Sequence, residues 1–111
     1  MSDDKDFSLE SGPGATATLR GVMRLESVEA YDRVLAPVRA ALLASSEPFT
    51  IVVRELLFLN SSGIRALGDL VLAAREHDKV LVFVGAAGTP WQKKTFASFV
   101  KLHHRLEVRL D

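Results

Sequence analysis

The chain has 111 residues, 48% of them hydrophobic and 25% charged, a length and composition suited to one globular domain with a single core. Its 14 lysines and arginines balance its 14 aspartates and glutamates, so no overall electrostatic field would gather the protein onto nucleic acid or an anionic membrane. With no cysteine in the sequence, disulfides, thiolate metal sites and a cysteine nucleophile are all excluded.

Residues 1–6 are mostly charged and read as a disordered tail, which leaves 7–111 as the domain. The start is acidic where a signal peptide would be basic, and the longest apolar run, near 81–84, is too short to span a bilayer. The expectation is a soluble, cytoplasmic protein with no membrane partner. Residues 7–10 are read as a short edge strand ended by Ser11-Gly12-Pro13-Gly14, and residues 15–23, rich in β-branched side chains, as its hairpin partner. The period then changes. Ser27 is placed to cap a helix with Ala30 at its third position, and Val28, Tyr31, Val34, Leu35, Val38 and Leu42 recur at helical spacing to about residue 44. Pro37 should kink that helix or remove one of its hydrogen bonds.

Residues 49–53 are almost purely apolar, which predicts a central strand covered on both faces. After Asn60-Ser61-Ser62-Gly63, a stripe of Ile64, Leu67, Val71 and Ala74 predicts a second amphipathic helix that fades at 76–79. Residues 80–84 form another apolar strand. A glycine-rich turn follows, with Thr89 as cap, Pro90 at the first helical position, and Phe96, Phe99 and Val100 as the apolar face of a third helix. Residues 106–110 alternate and should close the sheet half-exposed. The predicted order is β-β-α-β-α-β-α-β, an α/β sandwich with a mixed, mostly parallel sheet and helical crossovers.

Within that order, "LNSSG" falls where a strand gives way to a helix. The first amides of a helix lack intrahelical partners, so Asn60 and Ser61 are first of all capping residues, and Gly63 allows close backbone approach. Over residues 7–110 the element order, together with Asn60-Ser61-Ser62-Gly63-Ile64 preceded by Phe58-Leu59, resembles the STAS domain, the family of bacterial anti-sigma factor antagonists. That family marks the start of its second main helix with Asp-Ser-Ser/Thr/Ala-Gly and an aliphatic residue. Asn60 stands here where the family has aspartate.

The resemblance implies a non-catalytic, protein-binding regulatory module. Its partner would be a protein that is both serine kinase and anti-sigma factor, with Ser61 as the phosphorylated residue and Asn60, Ser61, Ser62, Gly63 and Arg65 at the partner-binding surface. It implies no cofactor, no metal and no direct nucleic-acid contact. Two alternatives stay open: a constitutive scaffold of the same type without phosphorylation, and a small-molecule or nucleotide site at residues 85–89. That loop joins strand to helix but lacks both the P-loop lysine and the G-x-G-x-x-G spacing. Lys93, Lys94, Lys101, His103, His104 and Arg105 gather positive charge, read as a solvated face. Trp91 is placed at the edge of the core, and His103-His104 has no carboxylate or cysteine at ligand spacing.

Overall fold

The two N-terminal strands, β1 (Phe7–Gly12) and β2 (Thr16–Met23), pair antiparallel as the expected hairpin, with Phe7 opposite Gly21 and Gly12 opposite Thr16. The computed structural model describes residues 6–12 and 14–111. The tail expected at residues 1–6 lies outside the described residues except for Asp6, and so does Pro13 of the first turn.

Helix α1 (Val28–Ala44) begins where its capping chemistry places it, with Ser27 Oγ accepting from the Ala30 amide at 3.1 Å. It runs unbroken through Pro37, whose ring faces solvent and costs one backbone donor. Strands β3 (Phe49–Val52) and β5 (Leu81–Gly85) pair in parallel at the centre of the sheet, as their apolar runs predict. All of β5 is buried, whereas β3 alternates, burying Phe49 and Ile51 and leaving Thr50 and Val52 half-buried. Strand β6 (Leu106–Leu110) closes one edge, parallel to β5, and its burial fades from Leu106 to Leu110.

The predicted order lacks one element. Residues Leu56–Leu59 form a separate strand, β4, so the chain runs β-β-α-β-β-α-β-α-β, with α2 at Ser61–Glu76 and α3 at Pro90–Phe99. The path through the sheet is β1-β2-β3-β5-β6, and β4 pairs in parallel with the C-terminal part of β2, beyond the end of β3. Strand β3 ends opposite Thr18, which leaves the rest of β2 to pair with β4, and within that ladder Leu57 is an extra residue, so that Gly21 faces Leu56 and Val22 faces Phe58. Gly21 has φ of 99°, its amide donates to the Glu55 carbonyl at 2.8 Å, and a Cβ there would meet the Phe7 Cα at 2.9 Å. Only glycine suits that position.

Because successive parallel connections step in one direction across the sheet, right-handed crossovers put the helices on one face. That face carries Leu19, Met23, Phe49, Ile51, Leu81 and Phe83, packed against Tyr31, Leu35, Leu67, Val71, Phe96 and Phe99. Phe83 stacks on Phe96 with ring centroids 4.8 Å apart. Two further readings are corrected. Val100 follows the last turn of α3 and is exposed, because the helix ends at Phe99 and the stripe has rotated away from the sheet. His103, expected on a solvated basic face, is buried, its Nε2 donating to the Lys79 carbonyl at 2.7 Å.

Leu67 is 1% exposed in the middle of α2. Leu67→Ala should therefore lose about 2 to 5 kcal/mol, read from urea or guanidinium midpoints; a loss below about 1 kcal/mol would contradict the placement of this face.

Candidate functional site

The ends of β2 and β4 lie side by side, Met23 opposite Leu59, so the loop into α1 and the start of α2 share one end of the sheet. Asn60 joins them. Its Oδ1 accepts from the Gly63 amide at 3.1 Å and from the Tyr31 hydroxyl at 2.7 Å, and its Nδ2 donates to the Leu25 carbonyl at 2.9 Å. The Tyr31 oxygen in turn accepts from the Leu25 amide at 3.3 Å. The orientation of the side-chain amide follows from its partners, since the Gly63 N–H needs an acceptor and the Leu25 carbonyl needs a donor.

This arrangement gives a physical reason for asparagine at position 60. A carboxylate could accept both incoming bonds but could not donate to Leu25, and one of its oxygens would face that carbonyl. Capping by Asn60 agrees with the sequence reading, and Ser61, the first residue of α2, is left with its side chain exposed. Ser62 is half-buried. Gly63 is buried where a Cβ would lie 2.7 Å from the Leu59 Cγ and 2.8 Å from the Tyr31 Cζ, so α1 and α2 can close together only over a glycine. Arg65 is exposed, four residues from Ser61 and on the same side of the helix.

Of the five residues expected at a binding surface, the structure thus presents Ser61 and Arg65 to solvent, places Ser62 at the margin, and uses Asn60 and Gly63 to hold the helix start in place. Residues that the sequence reading left out lie beside them. Leu57 and Phe58 of β4 are 63% and 41% exposed, and the Arg24 guanidinium lies over the Phe58 ring, 5.2 Å from its centroid. No local signal marks them, since Leu57 has Leu59 and Phe58 has Leu56 at strand spacing, so the run 56–59 reads as apolar throughout.

The other end of β4 is held by α3. Gln92 is 0% exposed, donates to the Val53 and Leu56 carbonyls at 2.7 and 3.2 Å, and accepts from the Ala86 amide at 2.8 Å. Trp91, half-buried at the core edge as expected, donates its indole N–H to the Leu56 carbonyl at 2.9 Å. Thr89 occupies the N-cap position of α3 without a side-chain capping bond, and Pro90 starts the helix. The loop at 85–89 commits its amides internally: Ala86 to Gln92, Ala87 to the Asp111 carbonyl, and Thr89 to the Ala86 carbonyl. Few donors are left there for a phosphate. All three histidines lie far from Ser61: His77 ends α2, His103 bonds Lys79 just beyond it, and His104 packs edge-on against His103. The length of α2, about 24 Å for its residues, separates the two ends.

Set against family models, curated proteins and solved structures, the chain finds no match.

Burial pushes the Tyr31 phenol above its ordinary value of 10.0, against a smaller opposing pull from the Leu25 amide. The folded state therefore favours the neutral phenol. Its contribution is complete below pH 10 and is lost as pH rises through the folded-state value. Tyr31 is the single tyrosine of the chain, so its ultraviolet titration should sit above that of the unfolded protein, and Tyr31→Phe should flatten the alkaline fall in stability. Asn60→Ala should cost about 2 to 3 kcal/mol by removing the cap and orphaning the Tyr31 hydroxyl and the Leu25 carbonyl. Combined with Tyr31→Phe it should cost less than the sum, by at least about 0.5 kcal/mol in denaturant melts; simple additivity would break the proposed connection.

Proposed function

We propose that this chain is a non-catalytic, protein-binding regulatory module of the anti-sigma factor antagonist type, a STAS-like domain of a bacterial partner-switching pathway, and that a serine kinase acting also as the binding partner phosphorylates Ser61. The observation that carries the reading is the combination at the start of α2: a serine exposed at the first helical position, on a backbone that Asn60 and Gly63 hold rigidly. The six-stranded mixed sheet with three helices is compatible with it, although β4 adds a strand to the order the resemblance implies.

The chemistry of such a switch is local. A phosphate on Ser61 adds about −1.5 to −2 charges beside the first amides of α2, where the helix dipole favours an anion, so the fold should tolerate it. A partner packed on the same spot would meet the phosphate's charge and hydration, and its affinity would fall while the domain stayed folded. The lost aspartate of the family motif is replaced by a residue that makes three bonds here, which keeps the cap while removing a charge next to the serine hydroxyl. A constitutive scaffold remains the second reading, favoured by that same loss of charge at Asn60.

Mass spectrometry of protein purified from its own host tests the switch: stoichiometric phosphate on Ser61 supports it, and Ser61→Ala should abolish the phosphate. Ser61→Asp should melt within about 1 kcal/mol of the wild type, since a carboxylate at a helix N-terminus is neutral or favourable by about 0.3 to 1 kcal/mol. The same substitution should weaken the binding of any protein that co-purifies with the wild type. Unmodified Ser61 in every growth phase, with equal partner affinity for Ser61→Asp, would leave the constitutive scaffold.

A further inference from the structure

Leu57 and Phe58 are the anomaly of the surface. They are adjacent on one short strand, large, and 63% and 41% exposed, while the flanking Leu56 and Leu59 are fully in the core. Side-by-side exposure of this kind is unfavourable in water and marks an interaction site more often than a scattered single residue does. Cations and carboxylates both lie near it in the chain, and the charged group seen to touch it is a cation. Arg24, at the end of β2, packs on Phe58; Arg65 lies one turn into α2; Lys94 lies on α3 one turn beyond Trp91, in a shallow groove between the two helices that Ile64 and Phe99 also line. None of these three cations has an ion-pair partner among the described residues, which they share with Arg33, Arg39, Arg75, Lys79, Lys93 and Lys101. Two carboxylates lie near the patch in sequence: Glu26, on the loop after Arg24, and Glu55, two residues before Leu57, which is paired with Arg20.

We infer that Leu57 and Phe58, flanked by Arg24 and Arg65, form the docking face for an acidic protein partner whose contact segment offers apolar side chains bracketed by carboxylates. This rests on reading the chain as a protein-binding module. It adds to the start of α2 an apolar anchor on β4 and specifies the charge of what binds there. Apolar residues at the centre of such a contact supply most of its affinity, and the flanking charges set orientation, partner choice and association rate. A phosphate on Ser61 would sit between Phe58 and Arg65 in the chain, so it would repel this partner's carboxylates and compete for the Arg65 guanidinium. Nucleic acid fits less well, since a balanced net charge and a few cations give little of the phosphate neutralisation on which its binding depends. The larger groove between α1 and α2, about 880 Å³, carries Asp32, Asp69 and Glu76 along with Arg39 and Arg75, a mixture that selects no occupant.

The test is an NMR titration of the full chain with short synthetic peptides. One carries a Leu-Phe-Leu centre flanked by aspartate and glutamate, one replaces the acids with lysine, and one replaces the apolar centre with serine. The acidic, apolar peptide should shift the amides of Leu57, Phe58, Arg24 and Arg65, and should bind at least about tenfold more tightly than either control. Phe58→Ser, and Arg24→Glu with Arg65→Glu, should each weaken it by about tenfold, with thermal melts showing the variants folded, because all these side chains reach solvent. Leu72→Ser, an exposed residue on the α1–α2 groove, should leave binding unchanged. Shifts centred on that groove, equal affinity for the lysine peptide, or tighter binding to a single-stranded oligonucleotide or to phosphatidylserine vesicles would each overturn the inference. Acidic-peptide binding at β4 that Ser61→Asp does not weaken upholds the docking face and removes the switch. Phosphate found on Ser61 with no peptide binding at β4 keeps the switch and removes the docking face.

Discussion

The side-chain amide of Asn60 is the constraint on which the C-terminal end of the sheet depends. One residue satisfies an orphan amide of α2, the hydroxyl of a buried tyrosine on α1 and a carbonyl of the loop between β2 and α1. Each of those groups would otherwise be desolvated without a partner, and an unpaired buried polar group costs about 1 to 3 kcal/mol. The bonds also fix relative positions. Met23 and Leu59 end adjacent strands, and Asn60 carries that adjacency into the helix layer, where Gly63 lets Leu59 and Tyr31 meet over the helix start. The site is thus organised by packing and hydrogen bonds that involve neither the hydroxyl of Ser61 nor the guanidinium of Arg65.

A second amide performs the corresponding task on the other side of β4. Gln92 spans from the β3–β4 junction to the loop after β5, with its carbonyl and both of its donated bonds satisfied in the core. Trp91 adds an indole N–H to the same Leu56 carbonyl. Among the described residues strand β4 pairs only with β2, so its outer edge would expose carbonyls that a sheet normally pairs. Side chains of α3 take that role at Leu56. The price of this solution is that Gly85 must stay a glycine, because a Cβ there would run into the Gln92 amide and lie 3.1 Å from the Leu110 Cδ2.

Local signals made most of the elements legible. Ser27 with Ala30, the helical stripes of α1 and α2, the apolar run of β5 and the Thr89-Pro90 start of α3 all act within a few residues, and the structure follows them. Strand β4 was not legible for a definite reason. It is four residues long, buries only its two end residues and exists because β2 runs on beyond Thr18, where β3 ends, a fact that no window around residue 56 contains. Gln92 and His103 were missed on similar grounds, since the carbonyls that make their burial acceptable lie 39 and 24 residues away along the chain. At the site itself, the cap by Asn60 could be read from "LNSSG", but its bond to Leu25 could not, so the choice of asparagine over aspartate became intelligible only through tertiary structure.

The separation of support from surface also bears on how such a face could bind and be switched. Ordering a loop on association costs free energy that a rigid site has already expended in folding. Here the backbone from Leu56 to Ile64 is anchored at both ends, by Trp91 and Gln92 at one and by Asn60 at the other, while the side chains of Leu57, Phe58 and Ser61 project outward from it. Changing the charge at Ser61 therefore alters the field over the exposed strand without disturbing the bonds that hold it. Of the large exposed side chains of β4, Phe58 has Arg24 stacked on its ring while Leu57 stays 63% exposed, and the glycine at position 63 gives up helix propensity, about 1 kcal/mol relative to alanine, for close packing. Stability is thus directed inward at Asn60, Gly63 and Gln92, and the residues between them are left free to answer to something outside the fold.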